Sequence, residues 1–324
     1  MSADPPASAG PCAPAGPYAP ADPYALPDPA GTRLVRSADG TRLHTESYGP
    51  AGAPVVVLAH GWTCSVAFWA PVIHRLAGDH RVIAYDQRGH GGSDRPATPA
   101  GYSTGKLADD LEAVLTELLP AGRRAVLAGH SMGGMTVMAA ADRAQVAART
   151  AGAVLVSTGP SDLVAELDLV PAAVRPVRLR RALHRLVLES KLPLGPVNGL
   201  SKAVLKYATM GPGATADQVA ACAKVVHACP TSTRHSWSQV LGTVELTAGL
   251  AALAVPTAVV VGSRDRLTPP VHSRRMLAAL PDPRGLLELP GAGHMAPVER
   301  PAEVAGEIRR IVNLVSVDQR SDVG

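Results

Sequence analysis

A serine lies between two glycines at a point where the sequence pattern predicts that a buried strand gives way to a helix. The segment runs from Gly129 to Gly133 (GHSMG) and directly follows the apolar run 125–128. A nucleophile on so tight a turn needs glycine on both sides, because larger side chains would collide there. The amino end of the following helix also favours negative charge beside the serine. This context predicts that Ser131 is a nucleophile.

A serine hydroxyl is a weak nucleophile at neutral pH, so it requires a base, and the base requires an acid that orients it. His294 follows the predicted strand 285–289, and Asp265 follows the predicted strand 257–261. Loops at the carboxyl ends of parallel strands converge at one edge of a sheet. We therefore predict that His294 is the base and Asp265 the acid, with Asp162, after the preceding strand, as the alternative acid.

Two backbone N–H groups are predicted to hold the negative charge that develops on a carbonyl oxygen during acyl transfer. One belongs to Trp62, in a His-Gly-Trp segment after the predicted strand 55–59, and the other to Met132, next to the nucleophile. A wider set of side chains is predicted to contact the substrate: His60, His130, Met210, Trp237 and Met295. For His60 and His130, which lie beside glycines, the alternative role is that of a hydrogen-bonded scaffold.

Short apolar runs alternate with helical patterns along most of the chain, as in folds whose parallel strands are buried on both faces. The predicted class is α/β, with a mostly parallel, doubly wound sheet of about eight strands and a helical cap insertion. Asp39-Gly40 is a strong turn signal and predicts an antiparallel hairpin at one edge. The predicted strands are 32–36, 41–48, 55–59, 81–85, 125–128, 153–156, 257–261 and 285–289, and the predicted crossover helices are 104–119, 131–149, 270–280 and 301–314.

The domain organisation follows from shifts in composition. Residues 1–31 alternate Pro, Ala and Gly and are expected to form a disordered tail. Residues 32–158 and 248–315 are expected to form the core, and 159–247, which is helical with breaks at prolines, a cap. The last residues, 316–324, are expected to be flexible.

The composition excludes several function classes. Of the 324 residues, 46% are hydrophobic and 18% charged, which is typical of a globular protein. Only 3% are aromatic, too few to stack bases, so we expect no nucleic-acid partner but a small-molecule substrate. The basic run 175–185 has the spacing of an amphipathic helix that packs on the core or touches a membrane surface, and no stable membrane insertion is expected. No oligomeric state is predicted.

The cysteines show no spacing of metal ligands or of a disulfide framework. We therefore expect Cys12, Cys64, Cys222 and Cys229 to be free thiols, and we expect no metal and no cofactor. The N-terminal residues lack the basic and apolar regions of a secretory signal, which makes the cytoplasm the expected location.

Five segments, in this order and spacing, resemble the α/β-hydrolase superfamily over roughly residues 32–315. They are the segments 60–62 (HGW), 86–94 (DQRGHGGSD), 129–134 (GHSMGG), 262–265 (GSRD) and 291–294 (GAGH). The resemblance implies the fold and a catalytic triad of Ser131, His294 and Asp265. It does not identify the substrate, because members of the superfamily catalyse many reactions.

The identity of the nucleophile narrows the reaction. Epoxide hydrolases and haloalkane dehalogenases share the flanking segments but use an aspartate where this chain has Ser131, and a serine would give an inert ether. The Trp62 segment also differs from the oxyanion segment of type II thioesterases of polyketide pathways. The expected activity is hydrolysis of an ester-type bond in a small or medium apolar substrate. Alternatives are a cofactor-free perhydrolase or haloperoxidase-like enzyme, a C–C bond hydrolase, a lyase and a non-catalytic ligand-binding protein.

Overall fold

Eight strands form one sheet in a computed structural model of the chain, which describes residues 22–169 and 194–321, with side chains through residue 317. The strands lie in the order β1-β2-β4-β3-β5-β6-β7-β8. Strand β2 is antiparallel to β1 and β4, and the other neighbouring strands are parallel. The strands are β1 (Gly31–Arg36), β2 (Arg42–Tyr48), β3 (Val55–Ala59), β4 (Arg81–Tyr85), β5 (Ala125–His130), β6 (Thr150–Val156), β7 (Thr257–Gly262) and β8 (Pro283–Leu289).

Helices cover both faces of this sheet, which confirms the predicted α/β class. The α-helices of the described residues are α1 (Ala70–Leu76), α2 (Thr104–Leu118), α3 (Met132–Ala139), α4 (Ala144–Arg149), α5 (Leu163–Glu166), α6 (Gly199–Thr209), α7 (Ala216–Ala228), α8 (Thr231–Leu241), α9 (Thr247–Ala252), α10 (Pro270–Ala279), α11 (Ala296–Glu299) and α12 (Pro301–Ser321). In the part of the chain that the structure describes, no helix has the length and apolar character needed to cross a membrane.

The central strands are continuous apolar runs because they are buried on both faces. Successive side chains of a strand point to opposite faces, so Val56 and Val126 pack on one side with α1 and α12. Val57 and Leu127 pack on the other side with α2 and α3. The two cores hold the sheet rigidly and thereby fix the loops at its carboxyl edge.

Helices α5 to α8 lie between β6 and β7, within the predicted cap. They contact loops at the carboxyl ends of the strands: Thr233 Oγ1 of α8 donates to Gly89 O at 2.9 Å, and Thr209 O of α6 accepts from His294 N at 2.8 Å. These contacts position the helices over the loops that carry the candidate nucleophile and base. The predicted amphipathic basic helix at 175–185 lies outside the described residues.

Several predicted boundaries differ from the structure by up to three residues, and three further differences are larger or divide an element. The helix predicted over 131–149 is two helices, α3 and α4, and its first residue is Met132 because Ser131 occupies the N-cap position. Residues 1–21 of the predicted tail lie outside the described residues, whereas Tyr24 and Leu26 pack against the core, since both side chains find apolar neighbours there. At the other end, α12 continues to Ser321 because its apolar periodicity extends beyond Leu314.

Candidate active site

Ser131 lies on the turn between β5 and α3 in a strained backbone conformation. Its φ is 51° and its ψ is −116°, in the left-handed half of conformational space that side-chain-bearing residues rarely adopt. Two hydrogen bonds hold the turn: Ser131 N donates to Val156 O at 2.9 Å, and Thr158 Oγ1 donates to Ser131 O at 2.7 Å. The neighbouring strand β6 therefore fixes the position of the serine.

Glycines make this turn possible through close backbone contacts. A Cβ atom at Gly129 would collide with the backbone of Gly133, and a Cβ atom at Gly133 would collide with the carbonyl of Ala59. The turn thus packs directly against the end of β3. Glycine is therefore needed on both sides of Ser131 because larger side chains would collide there, as the sequence pattern predicts.

The imidazole of His294 is held by a buried carboxylate. His294 Nδ1 lies 3.0 Å and 2.9 Å from the two carboxylate oxygens of Asp265. Thr268 Oγ1 donates to Asp265 Oδ2 at 2.9 Å, and the backbone N–H groups of Leu267 and Thr268 donate to Asp265 Oδ1, each at 2.9 Å. The carboxylate therefore fixes the ring with an N–H at Nδ1 and leaves Nε2 as the basic atom.

Asp265 remains an anion despite its burial. Desolvation raises the pKa of this carboxyl group, but the neighbouring His294 and the hydrogen bonds from Thr268 outweigh that effect, so its pKa lies below the ordinary value. An ionised carboxylate stabilises the imidazolium that forms when His294 accepts a proton.

The loop after β3 lies beside the nucleophile. A Cβ atom at Gly61 would lie 3.2 Å from Ser131 Cβ, so the backbone that leads to Trp62 approaches the serine closely. Met132 is the first residue of α3, where a backbone N–H has no acceptor within the helix. Both N–H groups thus belong to backbone that adjoins Ser131, as an oxyanion hole requires.

Ser131 and His294 line one cavity of about 510 Å³ between the sheet edge and the cap. Trp62, His130 and Met295 also line it. Most of the remaining wall is apolar, and it includes Met135, Leu163, Leu167, Leu205, Leu241 and Leu267. The structure therefore brings the predicted nucleophile, base and oxyanion loop to one mostly apolar cavity.

The sequence model of the α/β hydrolase fold family matches residues 54–301 of the chain. The protein belongs to this family. A match of this extent includes the segments that carry Ser131, Asp265 and His294.

Known relatives of this α/β-hydrolase-fold protein are named after several different activities. A non-heme chloroperoxidase of Streptomyces lividans is 38% identical over 173 residues, which is 52% of this chain and 61% of that protein. Epoxide hydrolase A of Mycobacterium tuberculosis is 38% identical over 109 residues, which is 33% of each chain. The chain thus spans less than two thirds of the length of these curated relatives.

A solved structure of similar architecture is that of a thermophilic esterase from Thermogutta terrifontis. It superimposes with a TM-score of 0.70 at 25% sequence identity and covers 88% of this chain and 99% of the esterase. The fold is thus shared over nearly the whole length of the esterase.

Three residues predicted to contact the substrate do not line the cavity. His60 is fully buried beneath the loop: its Nδ1 lies 2.7 Å from Gly61 O, and its Nε2 accepts from Gln87 N at 3.0 Å. Met210 packs in the apolar core, with its backbone against Gly293. The prediction of substrate contact is wrong for both in this structure, because the backbone places each side chain in the interior.

Trp237 is the third residue of this set. Its side chain is fully buried, packs edge to face on Tyr102 with ring centroids 5.3 Å apart, and donates from Nε1 to Arg88 O at 3.2 Å. It fastens the cap to the loop 86–94 instead of facing the cavity. In that loop, Arg88 forms a buried ion pair with Asp110.

His130 lines the cavity and also supports a neighbouring loop through a hydrogen bond. Its Nε2 lies 2.9 Å from His294 O, and the two rings have centroids 4.9 Å apart. Burial lowers the pKa of His130 to about 3, so the ring is neutral and donates its Nε2 proton to that carbonyl oxygen. It supports the loop of the base as well as lining the cavity.

The alternative acid, Asp162, lies elsewhere. It precedes α5 in a left-handed conformation (φ 56°) and lines a separate cavity with His272. Since Asp265 is the carboxylate bonded to His294, the geometry favours Asp265 over Asp162.

Sequence reasoning missed three polar residues of the site. Thr268 binds the Asp265 carboxylate, Glu299 accepts from the backbone next to His294, and Arg234 lines the cavity. The spacing Asp265-x-x-Thr268, which suits a local turn bond, could have indicated the first. The positions of Glu299 and Arg234 depend on how their helices are oriented, which the residue types alone do not indicate. Within the described residues, no group of His, Cys, Asp or Glu side chains forms a metal site.

Proposed function

We propose that the protein is a serine hydrolase that cleaves an ester-type bond (carboxylic ester, lactone or thioester) of a small or medium apolar substrate. The observation that carries the proposal is that His294, bonded to Asp265 at 2.9 Å, lines the same cavity as the strained Ser131. A serine, an oriented histidine and two nearby backbone N–H groups form the set that acyl transfer requires.

The proposed reaction has two steps. Ser131 Oγ attacks the carbonyl carbon while His294 Nε2 takes the hydroxyl proton, and the N–H groups of Trp62 and Met132 bind the oxyanion. The tetrahedral intermediate then expels the alcohol or thiol, which receives the proton from His294, and leaves an acyl-enzyme. A water molecule, deprotonated by His294, attacks this ester and releases the carboxylic acid together with free Ser131.

The apolar nature of the proposed substrate is inferred from the residues that line the cavity. Leu, Met and Val side chains dominate the described wall, so an apolar acyl or alcohol group would bury its surface on binding. The similarity to an epoxide hydrolase does not extend to the nucleophile type, because a serine attacking an epoxide would give an ether that water cannot cleave.

The nucleophile can be tested by labelling. A fluorophosphonate probe is expected to modify the wild-type protein at Ser131 and to leave Ser131→Ala unlabelled, with peptide mass spectrometry locating the adduct. Ser157→Ala is a suitable control, since this serine is buried outside the cavity wall and should not affect labelling. Equal labelling of wild type and Ser131→Ala would contradict the assignment.

The bond type can be tested with a substrate panel. p-Nitrophenyl esters of increasing acyl length, run beside thioesters and lactones, should show turnover that is lost in Ser131→Ala. A labelled serine without turnover on any member of the panel would favour a lyase, a C–C bond hydrolase or a ligand-binding protein instead.

A second candidate is perhydrolysis, which the similarity to a non-heme chloroperoxidase favours. Here hydrogen peroxide replaces water in the second step and releases a peracid, which can oxidise halide in solution. Halogenation of monochlorodimedone in acetate, peroxide and bromide tests for it. Absence of halogenation in a preparation that hydrolyses esters would rule out this candidate.

A further inference from the structure

The two peptide groups that are proposed to bind the oxyanion have their carbonyl oxygens held in the same way. In a planar trans peptide the C=O and N–H bonds point in opposite directions, so whatever holds the carbonyl also aims the N–H. Trp62 N–H shares its peptide group with Gly61 O, and Met132 N–H shares its own with Ser131 O. Each of these two oxygens accepts one side-chain and one backbone hydrogen bond.

His60 holds the first carbonyl. Its Nδ1 lies 2.7 Å from Gly61 O, and Cys64 N donates to the same oxygen at 3.1 Å. Because a carbonyl oxygen only accepts, Nδ1 carries the proton, and His60 Nε2 is then the acceptor for Gln87 N at 3.0 Å. Burial lowers the pKa of His60 to about 4, so the ring is neutral and this single tautomer satisfies both of its nitrogens.

Thr158 holds the second carbonyl. It follows β6, is fully buried, and donates from Oγ1 to Ser131 O at 2.7 Å. Met135 N of α3 donates to the same oxygen at 3.1 Å. The two side-chain bonds are therefore equal in length, and so are the two backbone bonds, although the peptide groups belong to different loops.

We propose that His60 and Thr158 are positioning residues for the oxyanion site. Neither is among the described residues that line the cavity, so each would act through the peptide group whose carbonyl it binds. A hydrogen bond to a carbonyl polarises the amide and strengthens the donor at its other end. A donor that is already aimed needs no reorganisation when negative charge develops, so these bonds should matter in the transition state more than in substrate binding. This inference rests on the proposed acyl transfer at Ser131.

Thr158 offers a test that preserves the shape of the side chain. Thr158→Val removes only the donor, so kcat for a p-nitrophenyl ester should fall by about tenfold or more while KM changes by less than about twofold. Thr158→Ser keeps the hydroxyl group and should retain most of the kcat. Thr150→Val is the matched control, since Thr150, at the opposite end of β6, is buried and donates to Val146 O, also at 2.7 Å. This control should lose stability but not kcat.

His60 is tested with two substitutions that differ in one donor. His60→Asn places an amide N–H where Nδ1 lies, whereas His60→Leu has no donor, and both lose the acceptor for Gln87 N. The kcat of His60→Leu should therefore be lower than that of His60→Asn by about fivefold or more. Equal kcat values for these two variants would overturn the role of His60, and a wild-type kcat for Thr158→Val would overturn that of Thr158.

An adduct that stops at the oxyanion separates this inference from ester hydrolysis. Ser131 Oγ adds to the carbonyl carbon of trifluoromethyl pentyl ketone, the hydroxyl proton passes to His294 Nε2, and the carbonyl oxygen becomes the bound oxyanion. The alcohol obtained by reduction of this ketone forms no adduct. In fluorine NMR titrations, Thr158→Val and His60→Leu should bind the ketone about tenfold or more weakly than the wild type and the alcohol with less than about twofold change.

Ester turnover by the wild type tells the two proposals apart. Weaker ketone binding in both variants, without ester turnover by the wild type, would contradict the proposed reaction and support the positioning role. Ester turnover together with an unchanged ketone affinity in both variants, or with an equal loss of affinity for ketone and alcohol, would overturn the positioning role and leave the proposed function in place. A wild-type protein that forms no ketone adduct would overturn both.

Discussion

The three candidate catalytic residues differ in what holds them in position. The strained backbone of Ser131 is held by hydrogen bonds with Val156 and Thr158, whereas His294 is held by the Asp265 carboxylate. Asp265 is in turn held by three donors from residues 267 and 268. The serine position is therefore a property of the fold, while the orientation of the base depends on one side chain.

Replacement of Asp265 should lower the activity and leave the protein folded. Asp265→Asn keeps the shape of the residue but presents an amide that no longer fixes the N–H at Nδ1 of His294, so kcat should fall by about 10⁴-fold. Circular dichroism should show an intact fold. Asp162→Asn, a carboxylate of the separate cavity, serves as the matched control and should retain kcat. If the two variants exchanged these results, Asp162 would be the acid.

At the scale of elements, a buried carboxylate joins the cap to the loop of the base. Glu299, at the end of α11, is 4% exposed. It accepts from Gly211 N at 2.8 Å, just beyond α6, and from Gly293 N at 3.0 Å, just before His294. Thr209 O accepts from His294 N in the same region. The end of α6 and the loop that carries His294 are therefore joined by several hydrogen bonds.

Removal of this acceptor should weaken both stability and catalysis. Glu299→Ala leaves two buried N–H groups without their acceptor and should lower the free energy of unfolding by about 2 kcal/mol or more, with a lower kcat. Glu299→Gln keeps one carbonyl oxygen in the same space. Burial raises the pKa of Glu299, which means that the buried negative charge is itself costly. The glutamine variant should therefore retain most of the free energy of unfolding and most of the kcat.

Urea denaturation and kcat measured on the same preparations check this prediction. Glu303→Ala, an exposed carboxylate of α12, is the matched control and should change neither. A Glu299→Gln variant as impaired as Glu299→Ala would contradict the acceptor role.

The sequence pattern predicts the strands and turns of this protein but does not predict how its helices are oriented. Apolar runs bounded by glycine predict β3 and β5, and the glycines themselves locate Ser131. Trp237 and Arg234 lie on the same helix, yet only Arg234 faces the cavity. Periodicity alone does not specify which face of a cap helix meets the sheet edge, since both faces of α8 are partly buried. Glu299 likewise resembles an ordinary acidic residue near a helix start.

At the scale of the whole molecule, a group of buried neutral histidines lies under the catalytic edge. Burial lowers the pKa of His60 to about 4 and of His90 and His130 to about 3. His60 Nε2 accepts from Gln87 N at 3.0 Å, and His90 Nε2 accepts from Thr63 N at 3.3 Å. Protonation of either ring would set two N–H donors against each other.

These histidines should make the folded state sensitive to acid. In the unfolded chain a histidine takes up a proton below about pH 6.5, whereas the buried rings do so only near pH 3 to 4. Because the unfolded state then binds more protons, the free energy of unfolding falls as pH decreases between these values, by at most about 1.4 kcal/mol per pH unit for each ring. Above about pH 6.5 this contribution is constant.

A difference between variants isolates this effect, because three buried carboxyl groups act in the opposite direction. Burial raises the pKa of Asp86, Asp110 and Glu299, so these groups take up protons in the folded state as pH falls and offset part of the loss. His90→Gln removes one ring and none of the carboxyl groups. Its free energy of unfolding, measured by urea denaturation from pH 7.5 to 4.5, should therefore decline less steeply than that of the wild type.

The control for this comparison is a buried polar residue that does not titrate. Thr45→Ser removes a methyl group from a side chain that donates to Arg33 O, so it should lower the free energy of unfolding by a similar amount at each pH. Parallel curves for wild type and His90→Gln would show that His90 is protonated equally in both states. The bond from Thr63 N to His90 would then not keep the ring neutral.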